Sequence, residues 1–95
     1  MRSFFVATDK VYQVYVLRNA QGRYYIGLSE DVGARLLQHN AGVSKWTRSR
    51  GPWDLVWKSE SLTLSEARKL EAFLKRQKGG RGFYLATGIQ RALGS

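Results

Sequence analysis

Residues 11–29 read VYQVYVLRNAQGRYYIGLS. β-Branched and aromatic side chains crowd both halves of this stretch; they fit a pleated surface and lose rotamer freedom in a helix. Between the halves, Asn19-Ala20-Gln21-Gly22 supplies turn chemistry. The stretch predicts a β-hairpin, and the rest of the chain must pack around it. Its register stays open. A loop of three or five residues sets Tyr15 directly opposite Tyr25 on one face, with Gly27 two residues further on. A four-residue loop without a bulge puts the two tyrosines on opposite faces. Gly27 inside a strand points to close approach by something, whether backbone or ligand.

Beyond the hairpin, Ser29-Glu30-Asp31 offers a cap and negative charge to a helix, VGARLLQHN continues it, and Asn40-Ala41-Gly42 ends it. Residues 43–52, VSKWTRSRGP, form a basic loop, and WDLVWKSE reads as a third strand with Trp53, Leu55 and Trp57 at period two. Thr63 and Glu66 have the spacing of a capping box, so a second helix is expected from about residue 64 to residue 77. Gly79-Gly80 interrupts the chain, and GFYLATGIQ is expected to form a short last helix. The order ββαβα predicts an α+β fold, a small three-stranded and mainly antiparallel sheet flanked by helices. The expected organisation is an N-terminal arm over 1–10, one domain with a single modest core over 11–88, and a tail over 89–95.

Lys and Arg number 16 against 7 Asp and Glu, a net charge of +9, and such a field attracts polyanions. Nucleic acid is favoured over a membrane surface because no long basic amphipathic helix stands out. No apolar run approaches the roughly 20 residues that span a bilayer. The apolar patch in MRSFFVATDK is too short for a secretory signal, so an intracellular, cytoplasmic protein is expected. The chain has no cysteine, which removes disulfides, thiolate metal sites and cysteine nucleophiles, and its one histidine removes any multi-histidine cage. Chemistry is left to Tyr, Arg, Lys, Glu, Asp and His39.

The second helix carries the sharpest clue. Ala67, Leu70, Glu71 and Leu74 fall on one helical face, three of them core-type and one an acid. A buried carboxylate needs a cation, donors or a metal. Glu71 therefore either lies at the stripe's edge, wet or ion-paired, or is an acid facing a cleft. On the first helix, Arg35 and His39 are four apart and share a face, with Val32 and Leu36 on another that reads as buried. In the basic loop, Lys45, Thr47, Arg48 and Arg50 are candidate phosphate contacts, and Trp46 either stacks on a base or packs against the first helix. Lys75, Arg76, Lys78 and Arg81 extend the positive footprint.

Together these pieces resemble the GIY-YIG nuclease family over residues 12–78. The first family triplet stands here as Gln13-Val14-Tyr15, degenerate apart from its tyrosine, and the second is intact as Tyr25-Ile26-Gly27. The family's helical arginine matches Arg35, the histidine after it matches His39, and its metal-binding glutamate matches Glu71. The resemblance implies a metal-dependent phosphodiesterase acting on DNA, with RNA left open. Glu71 would ligate one Mg²⁺ or Mn²⁺, Arg35 would bind phosphate oxygens, and Tyr25 would orient the attacking water with Gly27 making room for it. Tyr15, deprotonated with help from nearby cations, is the first candidate for general base and His39 the second. The competing expectation is a nucleic-acid-binding module without catalysis, or an adaptor for a protein partner, which the degenerate first triplet favours.

Overall fold

The computed structural model describes residues 10–90, so the arm expected over 1–10 lies outside the described residues apart from Lys10, as does the tail beyond Gln90. The hairpin forms as β1, Gln13–Asn19, and β2, Tyr24–Ser29, paired antiparallel. Asn19 closes the turn three ways. Its backbone N–H donates to Arg23 O, its backbone oxygen accepts from Gly22 N, and its Oδ1 accepts from the N–H groups of Gln21 and Arg23. Gly22, with φ of +80°, takes the left-handed conformation that a three-residue loop needs at its end.

That loop sets the register. Tyr15 lies opposite Gly27, and Leu17 lies opposite Tyr25. The two tyrosines share a face as expected for a three-residue loop, but diagonally rather than directly opposite. Gly27 is explained by the same pairing. A Cβ on it would stand 2.6 Å from the Tyr15 hydroxyl and 2.7 Å from its Cζ, so the glycine admits the tyrosine's own ring.

β3, Trp53–Lys58, adds antiparallel to the other side of β1, giving the order β2-β1-β3. The fold is α+β with an antiparallel sheet. The expected alternation of Trp53, Leu55 and Trp57 breaks at a bulge. Leu17 pairs with Leu55 but Val16 pairs with Trp57, so Val56 is an extra residue and the faces swap there. Trp53 therefore packs with Tyr15 and Leu17, whereas Trp57 packs on the opposite face with Val14 and Val16.

The core is consequently split by the sheet rather than single. On one face, Val14, Val16, Tyr24 and Ile26 meet Ala67 and Leu74 of α2, Leu64–Gln77, and Phe83 of α3, Arg81–Thr87. On the other, Tyr15, Leu17 and Trp53 meet Val32 and Leu36 of α1, Val32–Asn40. β1 is buried from both sides along Val14, Tyr15, Val16 and Leu17, which is why its middle carries no charged residue. The helix starts are fixed locally. Asp31 accepts from Ala34 N to cap α1, and Thr63 and Glu66 form a reciprocal capping box on α2.

The contact under Tyr15 gives a direct test. Gly27→Ala should displace the phenol and destabilise the fold by about 1–3 kcal/mol, the usual range for overpacking a filled core. Gly33→Ala, whose Cβ would meet nothing nearer than Asp31 Oδ1 at 3.6 Å, should leave stability unchanged or slightly raised. Denaturant unfolding of both variants checks the contrast.

Candidate active site

A phenol under a sheet needs a partner, and His39 provides it. Tyr15 Oη and His39 Nε2 are 2.9 Å apart, and both residues are 1% exposed. The other imidazole nitrogen, Nδ1, lies 2.8 Å from Thr47 Oγ1, and that hydroxyl lies 3.4 Å from Ser44 O. A carbonyl can only accept, so Thr47 donates to Ser44 and accepts from His39. Nδ1 then carries the imidazole proton, and Nε2 accepts from the Tyr15 hydroxyl. The result is a directed chain from Tyr15 through His39 and Thr47 to Ser44.

Two expectations change here. His39 is within electrostatic reach of Arg35, as its spacing on the helix allows, but its face is not separate from that of Val32. It sits seven residues after Val32 on the buried stripe of α1, since 3.6 residues per turn brings those positions together. Thr47 is not a phosphate contact. It is fully buried, its hydroxyl is used by His39, and its carbonyl accepts from Trp53 Nε1 at 3.0 Å.

Charge settles the protonation of this chain. Burial pushes the Tyr15 phenol above its ordinary value of 10.0; the Arg35 guanidinium pulls it down as a donor and as a charge, while Tyr25 and Glu71 push it further up. Burial, with the Arg35 charge adding, holds His39 below its ordinary 6.5. At neutral pH the phenol keeps its proton and the imidazole is neutral. Tyr15 is thus not a standing phenolate, contrary to the expectation that neighbouring cations would ionise it, because burial outweighs Arg35.

The same phenol shows which residues gather. Arg35 from α1, Tyr25 from β2 and Glu71 from α2 all act on it electrostatically. Tyr25 and His39 have ring centroids 4.7 Å apart, and Tyr25 also lies 6.3 Å from Tyr15. Arg35 is half-buried, with Nη1 donating to Gln38 Oε1 at 2.6 Å. Glu71 lies at the margin of its apolar stripe, its side chain 23% exposed, and its Oε2 is 3.2 Å from Lys75 Nζ one turn on. Gly27 sits beneath Tyr15, buried.

Trp46 packs on aromatic rings of the sheet. Its ring lies 5.6 Å from Tyr25 and 6.0 Å from Trp53, carries Arg50 at 4.7 Å and Lys78 at 5.6 Å, and is 40% exposed. Lys45 and Arg48 point to solvent from the same loop. The loop is held by two asparagines that sequence reasoning treated as turn and helix-end residues. Asn40 brackets Trp53, accepting from its N–H at 2.7 Å and donating to its carbonyl at 3.0 Å, and Asn19 Nδ2 donates to Arg50 O at 2.9 Å. No signal in the sequence marks these long-range bonds. Among the described residues, no three of His, Cys, Asp or Glu cluster as a metal cage, and no helix is long and apolar enough to cross a membrane.

A family model described as the GIY-YIG catalytic domain matches residues 11–83. The chain is similar to a UPF0213 protein of Streptococcus pneumoniae serotype 4, 42% identical over 66 residues that cover 68% of this chain and 67% of the relative. It is also similar to a UPF0213 protein of Yersinia pestis, strain Pestoides F, 40% identical over 70 residues covering 73% and 74%. No solved structure matches significantly.

The buried chain makes stability depend on pH in a definite sense. Because His39 titrates below its unfolded value, its contribution is complete above pH 6.5 and is lost as pH falls through the folded value. Because Tyr15 titrates above its own, its contribution holds below pH 10.0 and is lost as pH rises further. Unfolding free energy measured against pH should show a plateau between these limits. Thr47→Val leaves the His39 Nδ1–H unpaired and should lower that plateau by about 1–3 kcal/mol.

Proposed function

The chain belongs to the GIY-YIG family, whose catalytic domain is nuclease-type, and on that premise we propose that it is a divalent-metal-dependent endonuclease hydrolysing phosphodiester bonds in DNA. One observation carries this reading. A single phenol, Tyr15, is bonded to a neutral imidazole and lies within electrostatic reach of an arginine, a second tyrosine and a carboxylate from three other elements.

The two candidates for general base become one device. His39 Nε2 can take the Tyr15 proton only while the phenol takes one from the attacking water, so the phenol never has to exist as a free anion. Thr47 holds the tautomer that leaves Nε2 open. Tyr15 is nearly closed over, and the neighbouring guanidinium of Arg35 belongs on the non-bridging phosphate oxygens during reaction. As Arg35 swings onto phosphate, it uncovers the phenol and removes a charge that disfavours proton uptake by His39. Tyr25, half-buried beside both rings, orients the water.

Glu71 is the residue that would hold the ion. A partly exposed carboxylate paired with a surface lysine suits a hard cation such as Mg²⁺ or Mn²⁺ that keeps several waters and completes its shell from phosphate. Among the described residues, no three ligating side chains cluster as a zinc cage would need. Bound there, the ion would supply charge stabilisation at the phosphate and the leaving oxygen.

Nicking of supercoiled plasmid measures this. Wild type should cut with Mg²⁺ or Mn²⁺ and stop in chelator. Arg35→Ala should lose on the order of 10²–10³ in rate, by analogy with removal of a preorganised oxyanion donor. Tyr15→Phe and Glu71→Gln should lose comparably while remaining folded by circular dichroism. Undiminished cutting by Glu71→Gln would overturn the reading, and folded protein that binds DNA but cuts no substrate would favour the non-catalytic binding module.

A further inference from the structure

Beside the site, the surface continues as a groove. A cleft of about 280 Å³ is bounded by Tyr25, Trp46, Lys75 and Lys78. A second, of about 380 Å³, shares Trp46 and Lys78 and reaches the hairpin loop at Gly22 and Arg23. Among the described residues, no acidic one lines either part. The cations are close enough to feel one another: burial, then the charges of Arg23 and Lys75, hold Lys78 below the ordinary lysine range. Lys75 is paired with Glu71, but nothing acidic among the described residues lies in the clefts with Lys78 and Arg23. Mutually repelling cations of this kind are stabilised by a polyanion.

The floor of this groove has a second property. Trp46 is held in place from its inner side by Tyr25 and Trp53, yet it is 40% exposed and already carries two cations over its ring. A fixed, cation-flanked, partly exposed indole is what an unstacked base needs, since every base has a flat π face. Bases inside a duplex cannot offer that face, because each is covered by its neighbours in the stack.

We propose that this groove is the track for an unpaired DNA strand, with a base stacked on Trp46 and its phosphates held by Lys78, by Lys75 toward the active site and by Arg23 toward the hairpin loop. The inference rests on the nuclease reading for what happens at the Tyr25 end, and it adds the class of substrate. The strand enters along β2 and delivers a phosphate to Arg35 and Glu71. Specificity follows from strand state rather than from base sequence, because stacking on one ring and contacts to phosphate read no base edge.

The test uses the full chain in chelator and fluorescence anisotropy of labelled thymidine oligomers, against a hairpin duplex of matched phosphate count. The unpaired strand should bind roughly tenfold more tightly than the duplex, and Trp46→Ala should remove roughly that factor. Trp46→Phe, which keeps an aromatic face, should retain most of the preference, and Lys78→Gln should weaken binding and flatten its salt dependence. Thermal melts confirm that each variant is folded. Equal or tighter binding of the duplex overturns the proposal, as does a preference that survives in folded Trp46→Ala. Strand preference without any Mg²⁺- or Mn²⁺-dependent cutting would leave the groove standing and remove the nuclease reading. Cutting of duplex as fast as of unpaired strand would do the reverse.

Discussion

A hydroxyl buried beneath a sheet has to be hydrogen-bonded, because leaving one unpaired in the interior costs a few kcal/mol. Tyr15 creates that demand at the centre of β1, and most of the site follows from how it is met. The ring fits only because position 27 on the partner strand lacks a Cβ. Its proton needs an acceptor, so α1 must cross this face with His39 turned inward. The imidazole accepts at Nε2 only if Nδ1 donates elsewhere, which brings Thr47 and the basic loop down onto the helix. The loop stays there because Asn40 grips the backbone of Trp53 and Trp53 donates to Thr47 O. Four segments distant in sequence are thereby tied to one phenol. Two loop features that look unrelated in the sequence, a buried threonine and an exposed tryptophan, are consecutive consequences of that anchoring.

Local rules carried the reading of the sequence a long way. The two longer helices begin at their capping residues, and the hairpin turn closes through an asparagine and a left-handed glycine, because capping and turn chemistry are decided within a few residues. Arg35 and Glu71 could be singled out by helical spacing and family resemblance. Failures came wherever a partner lies far away in sequence. The bulge at Val56 puts Trp53 and Trp57 on opposite faces, and no alternation pattern announces an inserted residue. The burial of His39 is not legible because four-residue spacing to Arg35 and seven-residue spacing to Val32 are both compatible with its place on the helix, and only the packing shows that it faces the core. Thr47 was grouped with its cationic neighbours, and only its burial against His39 separates it from them. The ionisation state of Tyr15 depends on the balance of burial against Arg35, a comparison of opposing magnitudes that residue types alone do not give.

The division of labour between the two sheet faces explains how a chain with one modest domain can build a polar site. One face, under α2 and α3, is filled by aliphatic and aromatic residues. The other accepts a histidine, a threonine and two tyrosines into its packing. Satisfied polar groups in a core fix one arrangement where apolar ones would tolerate several. The polar face thus holds the tyrosines and the imidazole in register, and the apolar face supplies burial.

Glu71 belongs to the apolar side's helix but emerges at its margin, and its pairing with Lys75 decides what can bind there. The two are one helical turn apart, with the lysine side chain 55% exposed. Exposed pairs at this helical spacing contribute about 0.3–0.5 kcal/mol, since water screens them and both side chains must be held in place; Glu71, 23% exposed, is screened less than that. On the proposed reading, a divalent cation bringing its own waters and a phosphate ligand would replace Lys75 as the partner of Glu71. Once released, Lys75 would be free to meet an incoming phosphate in the groove it lines with Lys78 and Trp46. The same exchange would then add a cation to the proposed strand path, so a cation at Glu71 and a polyanion in the groove should favour one another. Such coupling is reciprocal by thermodynamic necessity, each ligand tightening the other by the same factor.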